Sequence, residues 1–128
     1  MVIDTSAIVA ILLNEPERQE FIQKIDLAKS RLMAAPTLLE CQIVIETRKG
    51  TLGRFQLDLF IYEAEITIFP FNKEQVHFAI VAWQRYGKGR HPAGLNFGDC
   101  FAYALAKSRG EPLLFKGNDF SQTDIESC

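Results

Sequence analysis

The sequence predicts an α/β fold in which a short, mainly parallel sheet is flanked by helices. Four short apolar, strand-like runs alternate with helical segments along the chain. Strands that are separated by helices pair in parallel through crossover connections. With 128 residues, 48% of them hydrophobic and 23% charged, the chain has the size and composition of one folded domain, which we place at residues 1–128.

The first half of the chain contains two predicted strands and three predicted helices. A strand over residues 1–3 leads into Asp4-Thr5-Ser6, which is typical of a turn and helix cap, and helices follow over 7–13 and about 17–28. Residues 31–34 form the second predicted strand, ended by Pro36. Thr37 with Glu40 three residues later matches a capping box, so we expect the next helix to begin at Thr37 and to stop at Gly50.

The second half continues the alternation. We predict a helix over about 55–64, a strand over 66–71 and an amphipathic helix over 73–86, whose apolar residues Val76, Ile80 and Trp83 recur at intervals of four and three. A loop over 87–94 contains Lys88, Arg90 and His91. A helix over 99–108, ended by Gly110, and a strand over 113–115 complete the prediction.

Four acidic residues are candidates for a functional site. In an open parallel sheet, ligands bind beyond the carboxyl ends of the strands, and two of the four directly follow predicted strands. Asp4 follows the first strand and Asp119 follows the last; Asp99 begins a helix, and Glu40 lies on a mostly apolar helix. Each has an ordinary structural interpretation. Asp4 and Asp99 suit helix caps, Asp119 suits a turn, and Glu40 suits a capping box or an internal ion pair.

Taken together, the four carboxylates favour a metal site. If they converge, their mutual repulsion requires a counter-ion, and all-oxygen ligands suit Mg²⁺ or Mn²⁺. The three cysteines, Cys41, Cys100 and Cys128, have no zinc spacing and are expected to be reduced thiols. A carboxylate-bound divalent ion suits phosphodiester hydrolysis by activated water, so the sequence predicts a metal-dependent nuclease.

Four segments carry a family resemblance that spans essentially the whole chain. Residues 2–7, 37–40, 95–100 and 114–120 resemble, in order and spacing, the motifs of PIN domains, and more closely those of VapC-type toxins of bacterial toxin–antitoxin systems. The resemblance implies a three-layer α/β/α domain with a Mg²⁺-dependent endoribonuclease site, for which Mn²⁺ is a possible substitute. It assigns metal binding to Asp4 and Asp99, and completes the catalytic acid cluster with Glu40 and Asp119.

The same resemblance implies supporting residues and partners. Thr5 or Ser6 would orient a carboxylate or water, and Asn96 would add a polar contact. A cognate antitoxin and a second copy of the chain are the expected protein partners. Six apolar residues of the first two helices are candidates for the antitoxin groove, with packing in the core as the alternative for several of them: Ile8, Ile11, Leu12, Phe21, Ile22 and Ile25.

The net charge of −2 excludes a protein that holds RNA chiefly through a strongly positive surface. Local basic residues are therefore the candidates for RNA contacts. Lys88, Arg90 and His91 form the first candidate patch, and a second consists of Arg48, Lys49 and Arg54. A solvated surface is the alternative interpretation of either patch.

Other classes fit less well. A receiver domain lacks its phosphate-accepting Asp, because the strand over 66–71 runs into Asn72, and a haloacid-dehalogenase-type phosphatase lacks the second Asp after Asp4. A non-catalytic PIN-like module that binds RNA or protein stays open as the alternative function. The apolar run at 7–13 is shorter than the ~20 residues that cross a bilayer, so we expect no membrane association and a cytoplasmic protein.

Overall fold

The computed structural model describes residues 1–128, and its sheet is parallel throughout. The strands β1 (Val2–Ile3), β2 (Leu32–Ala34), β3 (Thr67–Phe69) and β4 (Leu113–Leu114) lie in the order β3-β2-β1-β4. β1 pairs with both β2 and β4, and β2 pairs with β3, each time in parallel. β2 and β3 are added one after the other on one side of β1, whereas β4 pairs with β1 on its other side. The direction of the strand order therefore changes between β1 and β4.

Five helices cover the two faces of this sheet. They are α1 (Thr5–Leu12), α2 (Arg18–Leu27), α3 (Ala35–Glu63), α4 (Lys73–Tyr86) and α5 (Phe97–Arg109), followed by a 3-10 turn at Phe120–Gln122. α1, α2 and α3 pack on one face, whereas α4 and α5 pack against each other on the opposite face. The expected three-layer α/β/α arrangement is confirmed.

Alternate residues of each strand belong to different cores. Ile3, Met33 and Leu114 pack with α1 and α3, whereas Val2 and Leu113 pack with α4 and α5. Because successive side chains of a strand point to opposite faces, strands of two or three residues contribute to both cores. The strands are therefore apolar throughout, as strands buried on both faces are.

Helix α3 begins earlier than the sequence predicts and runs through Gly50. It starts at Ala35, with Pro36 in its first turn, where a missing N–H costs nothing. Thr37 is consequently inside the helix, and its buried hydroxyl has no hydrogen-bond partner, so the predicted capping box with Glu40 is wrong. Gly50 adopts φ 66°, and the helix kinks there instead of ending. This kink joins the two helices predicted at 37–49 and 55–64.

Three other features bear on the predictions made from sequence. Gly110 has the left-handed conformation (φ 64°) that ends α5, as expected of a C-terminal glycine. All three cysteines are free thiols. No helix of the structure has both the length and the apolar character needed to cross a membrane.

Candidate functional site

The candidate site lies at the carboxyl edge of β1 and β4, where the strand order changes direction. Asp4 follows β1 directly, is only 4% exposed and caps the N-terminus of α1. Both the backbone N–H and the hydroxyl of Ser6 donate hydrogen bonds to its Oδ2 atom, at 3.1 and 2.7 Å. Burial raises the pKa of Asp4 despite these hydrogen bonds. The side chain thus serves as a cap and as a buried acid at once.

Ser6 also connects the two strand ends that form the site. Its hydroxyl donates to Asp4 and accepts a hydrogen bond from the backbone N–H of Lys116, at 2.9 Å. Lys116 lies just beyond β4, in the loop that leads to Asp119. The hydroxyl therefore holds the loop of Asp119 close to Asp4.

Glu40 reaches the same place from α3. The hydroxyl of Thr5 donates to its Oε1 atom at 2.5 Å, and the charge of Glu40 contributes to the raised pKa of Asp4. Its other oxygen lies against the first turn of α5, where a Cβ added at Gly98 would stand 2.4 Å from Oε2. A side chain at position 98 would force this carboxylate to move, so the observed position of Glu40 depends on the glycine.

Asp99 lies in the first turn of α5 and forms a capping box with Asn96. The backbone N–H of Asn96 donates to Asp99 Oδ2 at 3.0 Å, and the backbone N–H of Asp99 donates to Asn96 Oδ1 at 2.9 Å. The pKa of Asp99 is nevertheless raised to about 7, chiefly by burial and further by the negative charges of Asp4 and Asp119. A cap that served only the helix N-terminus would instead favour the ionised acid.

Asp119 closes the cluster from the loop after β4, at the start of the 3-10 turn. It is exposed, but its charge and its hydrogen bond with Asp99 both raise the pKa of Asp99. The structure therefore brings Asp4, Glu40, Asp99 and Asp119 together from four separate segments. Carboxylates packed this closely are repulsive unless protons or cations neutralise them.

The donor set of this cluster fits a hard divalent cation. It consists of carboxylate and hydroxyl oxygens, and Glu40 Oε2 receives no hydrogen bond within the chain. No three of its acidic side chains stand close enough to hold one ion together. Mg²⁺ commonly retains several waters and uses only one or two carboxylates, so it does not require three of them to converge. The thiol of Cys41, the residue after Glu40, has its pKa raised to about 12 by burial and is not a thiolate ligand.

Other polar residues near the site are already paired. Lys116 bridges Glu15 and Glu17 at 2.8 and 3.2 Å, which ties the loop after β4 to the loop between α1 and α2. Asp124 accepts hydrogen bonds from Tyr103 at 2.6 Å and from Lys107 at 2.7 Å, and Arg85 of α4 lies 3.7 Å away. The partners of Asp124 thus come from α4 and α5, outside the acidic cluster.

The loop between α4 and α5 contains the basic residues predicted to contact RNA. Arg90 stacks on the Trp83 ring at 4.6 Å and donates to Gln84 O, whereas His91 packs edge-on against Tyr86. Lys88 is exposed and lines an apolar groove between α4 and α5. In the second patch, Arg54 pairs with Glu46 at 3.6 Å and the Lys49 amine donates to Gln56.

Four of the six residues suggested for an antitoxin groove are core residues, which is the alternative interpretation given above, and Leu12 and Ile22 are partly buried against the same core. Ile8, Ile11, Phe21 and Ile25 are at most 5% exposed and belong to the core between α1, α2 and the sheet. Their spacing on one helix face is the spacing of core residues, and sequence alone does not distinguish a groove from a core.

Gly98 and Phe97 are functional candidates that sequence reasoning missed. A glycine inside the first turn of a helix, directly before an acid, is unfavourable for the helix and therefore signals a close approach. Phe97 is 81% exposed although it is a large aromatic residue two positions before Asp99. Nothing in its local sequence indicates that exposure.

Comparison with known proteins identifies the family. The PIN domain family profile matches residues 1–126. The chain is 49% identical to ribonuclease VapC30 of Mycobacterium tuberculosis over 98% of its own length and 95% of that protein, and 49% identical to ribonuclease VapC of Mycolicibacterium smegmatis over 98% and 97%.

Solved structures agree on the fold. The crystal structure of Mycobacterium tuberculosis VapC20, described as a Sarcin-Ricin loop cleaving toxin, superposes with a TM-score of 0.79 at 14% identity, covering 99% of this chain and 97% of that one. VapBC2 from Rickettsia felis, bound to a DNA fragment, superposes with a TM-score of 0.77 at 12% identity, covering 98% and 94%. The chain therefore belongs to the PIN-domain family and, at 49% identity to curated VapC proteins across nearly its whole length, to the VapC type within it.

Proposed function

We propose that this protein is a metal-dependent endoribonuclease and the toxin of a toxin–antitoxin pair. The observation that carries the proposal is the cluster of Asp4, Glu40, Asp99 and Asp119, in which mutual repulsion contributes to raising the pKa of Asp99 to about 7. Repulsion between carboxylates is unfavourable for folding when nothing neutralises it. A bound divalent cation would neutralise it, so such a cluster is typical of a cation-binding site. The ribonuclease names of relatives at 49% identity support RNA as the substrate.

The roles of the side chains follow from their contacts. Asp4 and Asp99 are the proposed metal ligands. Burial raises the pKa of both carboxyl groups, and a cation bound between them would favour their ionised forms. Glu40 and Asp119 complete the acidic cleft and are suited to accept a proton from the attacking water. Ser6 and Thr5 fix one oxygen of Asp4 and of Glu40 respectively, and Asn96 fixes Asp99.

We infer that the ion is Mg²⁺, with Mn²⁺ as a substitute, since the available ligands are oxygens. A bound Mg²⁺ would supply positive charge for the phosphate and lower the pKa of a coordinated water. The chain's own contribution is to hold carboxylates in place and to place basic residues where RNA phosphates pass. Lys88, Arg90 and His91 are the proposed RNA contacts. Arg90 and His91 are held by ring contacts and hydrogen bonds within the chain, whereas the exposed Lys88 side chain makes neither.

The decisive test is RNA cleavage by purified protein with Mg²⁺ and with a chelator. We expect cleavage only with the ion, and loss of cleavage in Asp4→Asn and Asp99→Asn with the fold intact by circular dichroism. RNA binding without any cleavage by the wild type would instead favour the non-catalytic PIN-like module. Full activity in both variants would contradict the assigned roles.

We further propose that the antitoxin docks on the second half of α3. Four large apolar residues recur there at intervals of three, four and three, and are 55–81% exposed: Leu52, Phe55, Leu59 and Tyr62. An amphipathic partner helix matches this spacing. A basic antitoxin side chain entering the acidic cleft would replace the cation. Substituting Phe55 and Leu59 by Glu is expected to abolish co-purification of the co-expressed antitoxin while RNA cleavage continues.

Two further proposals concern assembly and location. We propose a homodimer, which the exposed apolar face around α4 and α5 supports, since contiguous apolar patches mark protein interfaces. We place the protein in the cytoplasm, where RNA is available and where its three free thiols stay reduced. Mass measurement of the purified protein and fractionation of the cells test the two proposals.

A further inference from the structure

The loop that contains Asp119 is fixed by side-chain contacts and not by its own backbone. Residues 116–119 are exposed, although they lie between the buried side chains of Leu114 and Phe120. No backbone group of this segment hydrogen-bonds to another backbone group. Gly117 adopts φ 103°, a conformation that is open to glycine and unfavourable for other residues. The position of Asp119 therefore depends on the contacts that hold the two ends of the loop.

Burial holds the end of the loop that follows Asp119. The Phe120 side chain is only 2% exposed, and its ring centroid lies 5.2 Å from that of Phe115. The hydroxyl of Ser121 donates a hydrogen bond to the carbonyl oxygen of Asn118 at 2.8 Å. This end is thus fixed to the core that packs against α4 and α5.

Lys116 holds the other end of the loop through both its backbone and its side chain. Its backbone N–H donates to the hydroxyl of Ser6, which in turn donates to Asp4. Its ammonium nitrogen lies 2.8 Å from Glu15 Oε1 and 3.2 Å from Glu17 Oε2, and we call these two residues the acid pair. The acid pair belongs to the connection between α1 and α2, so one side chain joins two loops that are distant in the chain.

The local structure of the acid pair suits this contact. Asn14, directly before Glu15, has φ 55°, a left-handed conformation that asparagine tolerates better than most residues. The backbone N–H of Glu15 donates to the carbonyl oxygen of Ala10 at 2.9 Å, which fixes the turn. Glu17 occupies the N-cap position of α2, but its side chain makes no capping hydrogen bond and its Oε1 atom is buried without a partner. The ion pair with Lys116 is therefore the one polar contact of the Glu17 carboxylate.

We propose that Lys116 is a positioning residue of the acidic cluster: its contact with the acid pair fixes the loop and so keeps Asp119 beside Asp99. Two carboxylates already neutralise the ammonium group, so its effect is on geometry more than on the charge that RNA meets. A misplacement of about 1 Å in a reacting group lowers a rate by as much as ~100-fold. The inference rests on the proposed ribonuclease activity, in which Asp119 is suited to accept a proton from water, but order in the loop can be measured without RNA.

The order of the loop is tested by NMR relaxation of the metal-free protein. In the wild type we expect backbone order parameters of about 0.85 at residues 117–119, the value of rigid backbone. Lys116→Met, which keeps the aliphatic stem and removes the charge, should lower them below about 0.6. Lys107→Met is the matched control, because the Lys107 ammonium pairs with Asp124 at 2.7 Å and its side chain is 39% exposed, against 37% for Lys116. A loop that is mobile in the wild type, or equally ordered in Lys116→Met, overturns the proposal.

The effect on the reaction is tested by steady-state RNA cleavage with Mg²⁺. We expect Lys116→Met to lower kcat roughly 10–100-fold, as the loss of a residue that orients a site group does, with KM changed less than about twofold. Lys116→Arg keeps the ion pairs and should restore most of kcat. Exposed ion pairs contribute little to stability, so the thermal midpoints of Lys116→Met and Lys107→Met should fall by similar amounts. A change in KM alone, or an equal loss of kcat in Lys107→Met, overturns the proposal.

Removal of the acid pair distinguishes positioning from a direct contact between Lys116 and an RNA phosphate. The double variant Glu15→Gln/Glu17→Gln frees the ammonium group and leaves it in the chain. Positioning predicts the same loss of kcat as in Lys116→Met, and no further loss when the three substitutions are combined, because all of them break one contact. A direct contact predicts the opposite, a lower KM with kcat unchanged, because the freed ammonium group attracts phosphate more strongly. That second result overturns the proposal.

Failure of the inference differs from failure of the proposed function. If Lys116→Met loosens the loop but the wild type never cleaves RNA, the ribonuclease is refuted and the contact between the loops stands. If the wild type cleaves RNA and Lys116→Met cleaves it equally well, the inference is overturned and the proposed function stands.

Discussion

Thr5 and Glu40 are 35 residues apart in the chain and are joined by a hydrogen bond of 2.5 Å from the threonine hydroxyl to the carboxylate. This contact replaces the capping box that the sequence suggests between Thr37 and Glu40. It links the first turn of α1, directly after β1, to the second turn of α3. Asp4 and Thr5 are neighbours in sequence, so the contact also places Glu40 next to Asp4.

Substitution of Thr5 tests whether catalysis depends on the orientation of the Glu40 carboxylate, because the carboxylate itself stays in place. We expect Thr5→Val, which keeps the shape and removes the hydroxyl, to lower kcat for RNA cleavage by roughly 10–100-fold, the usual effect of losing a residue that orients a metal-site group. Thr5→Ser retains the donor and should restore most of the activity. Equal rates for the valine and serine variants would show that the hydrogen bond has no catalytic role.

Gly98 is expected to be required for activity but not for folding. A Cβ at this position would lie 2.4 Å from Glu40 Oε2, so Gly98→Ala should displace the carboxylate and strongly reduce RNA cleavage. Alanine has a higher helix propensity than glycine, and this gain in stability offsets part of the cost of the steric clash. The thermal midpoint of unfolding should therefore change little.

Gly110→Ala is the matched control for Gly98. It forces a side chain into the left-handed conformation at the end of α5 and should cost about 1 kcal/mol of stability. RNA cleavage by this variant should be unchanged at temperatures where it is folded. The two glycines of α5 thus separate effects on the site from effects on the fold, and a reversed pattern would contradict both assignments.

Asp124 is expected to contribute to stability alone. It accepts hydrogen bonds from Tyr103 and Lys107, and Arg85 lies 3.7 Å away, all outside the acidic cluster. Asp124→Asn keeps an acceptor for the tyrosine and loses the ion pairs, so we expect a loss of about 1 kcal/mol in the free energy of unfolding. Cleavage assays at saturating Mg²⁺ should give the wild-type rate. A variant with normal stability and impaired cleavage would place Asp124 in the site.

The sequence predicted the sheet and the placement of the acids because both depend on local patterns. Apolar runs separated by helices require parallel strands, and residues that follow such strands meet at one edge of the sheet. Asp4 and Asp119 are placed by that rule alone. Asp99 was placed at the start of a predicted helix, although that helix begins two residues earlier than predicted.

The predictions that failed depend on long-range packing. Nothing local distinguishes Ile8 and Phe21, which face the core, from Leu52 and Phe55, which face solvent at similar spacing. Thr37 has the residue type of a cap, but the helix had already begun at Ala35, where Pro36 is tolerated. Exposure of Phe97 is likewise set by how α5 meets α3 and α4, which sequence periodicity does not report.

Metal-free protein is expected to lose stability as pH rises from about 4 to about 7. Asp99 has a pKa of about 7 in the fold, against 3.8 when unperturbed, so the folded state binds more protons than the unfolded state over this range. The free energy of unfolding therefore falls with rising pH and levels off above pH 7, and the raised pKa of Asp4 acts in the same direction. Mg²⁺ should remove the loss, because it binds the ionised carboxylates of the folded state. Thermal midpoints at fixed ionic strength, with Mg²⁺ or with chelator, measure the effect. Asp99→Asn keeps the hydrogen bond from Asn96 but does not titrate, so it should show a weaker dependence on pH. A wild-type midpoint that is independent of pH without metal would contradict the repulsion on which the proposed site depends.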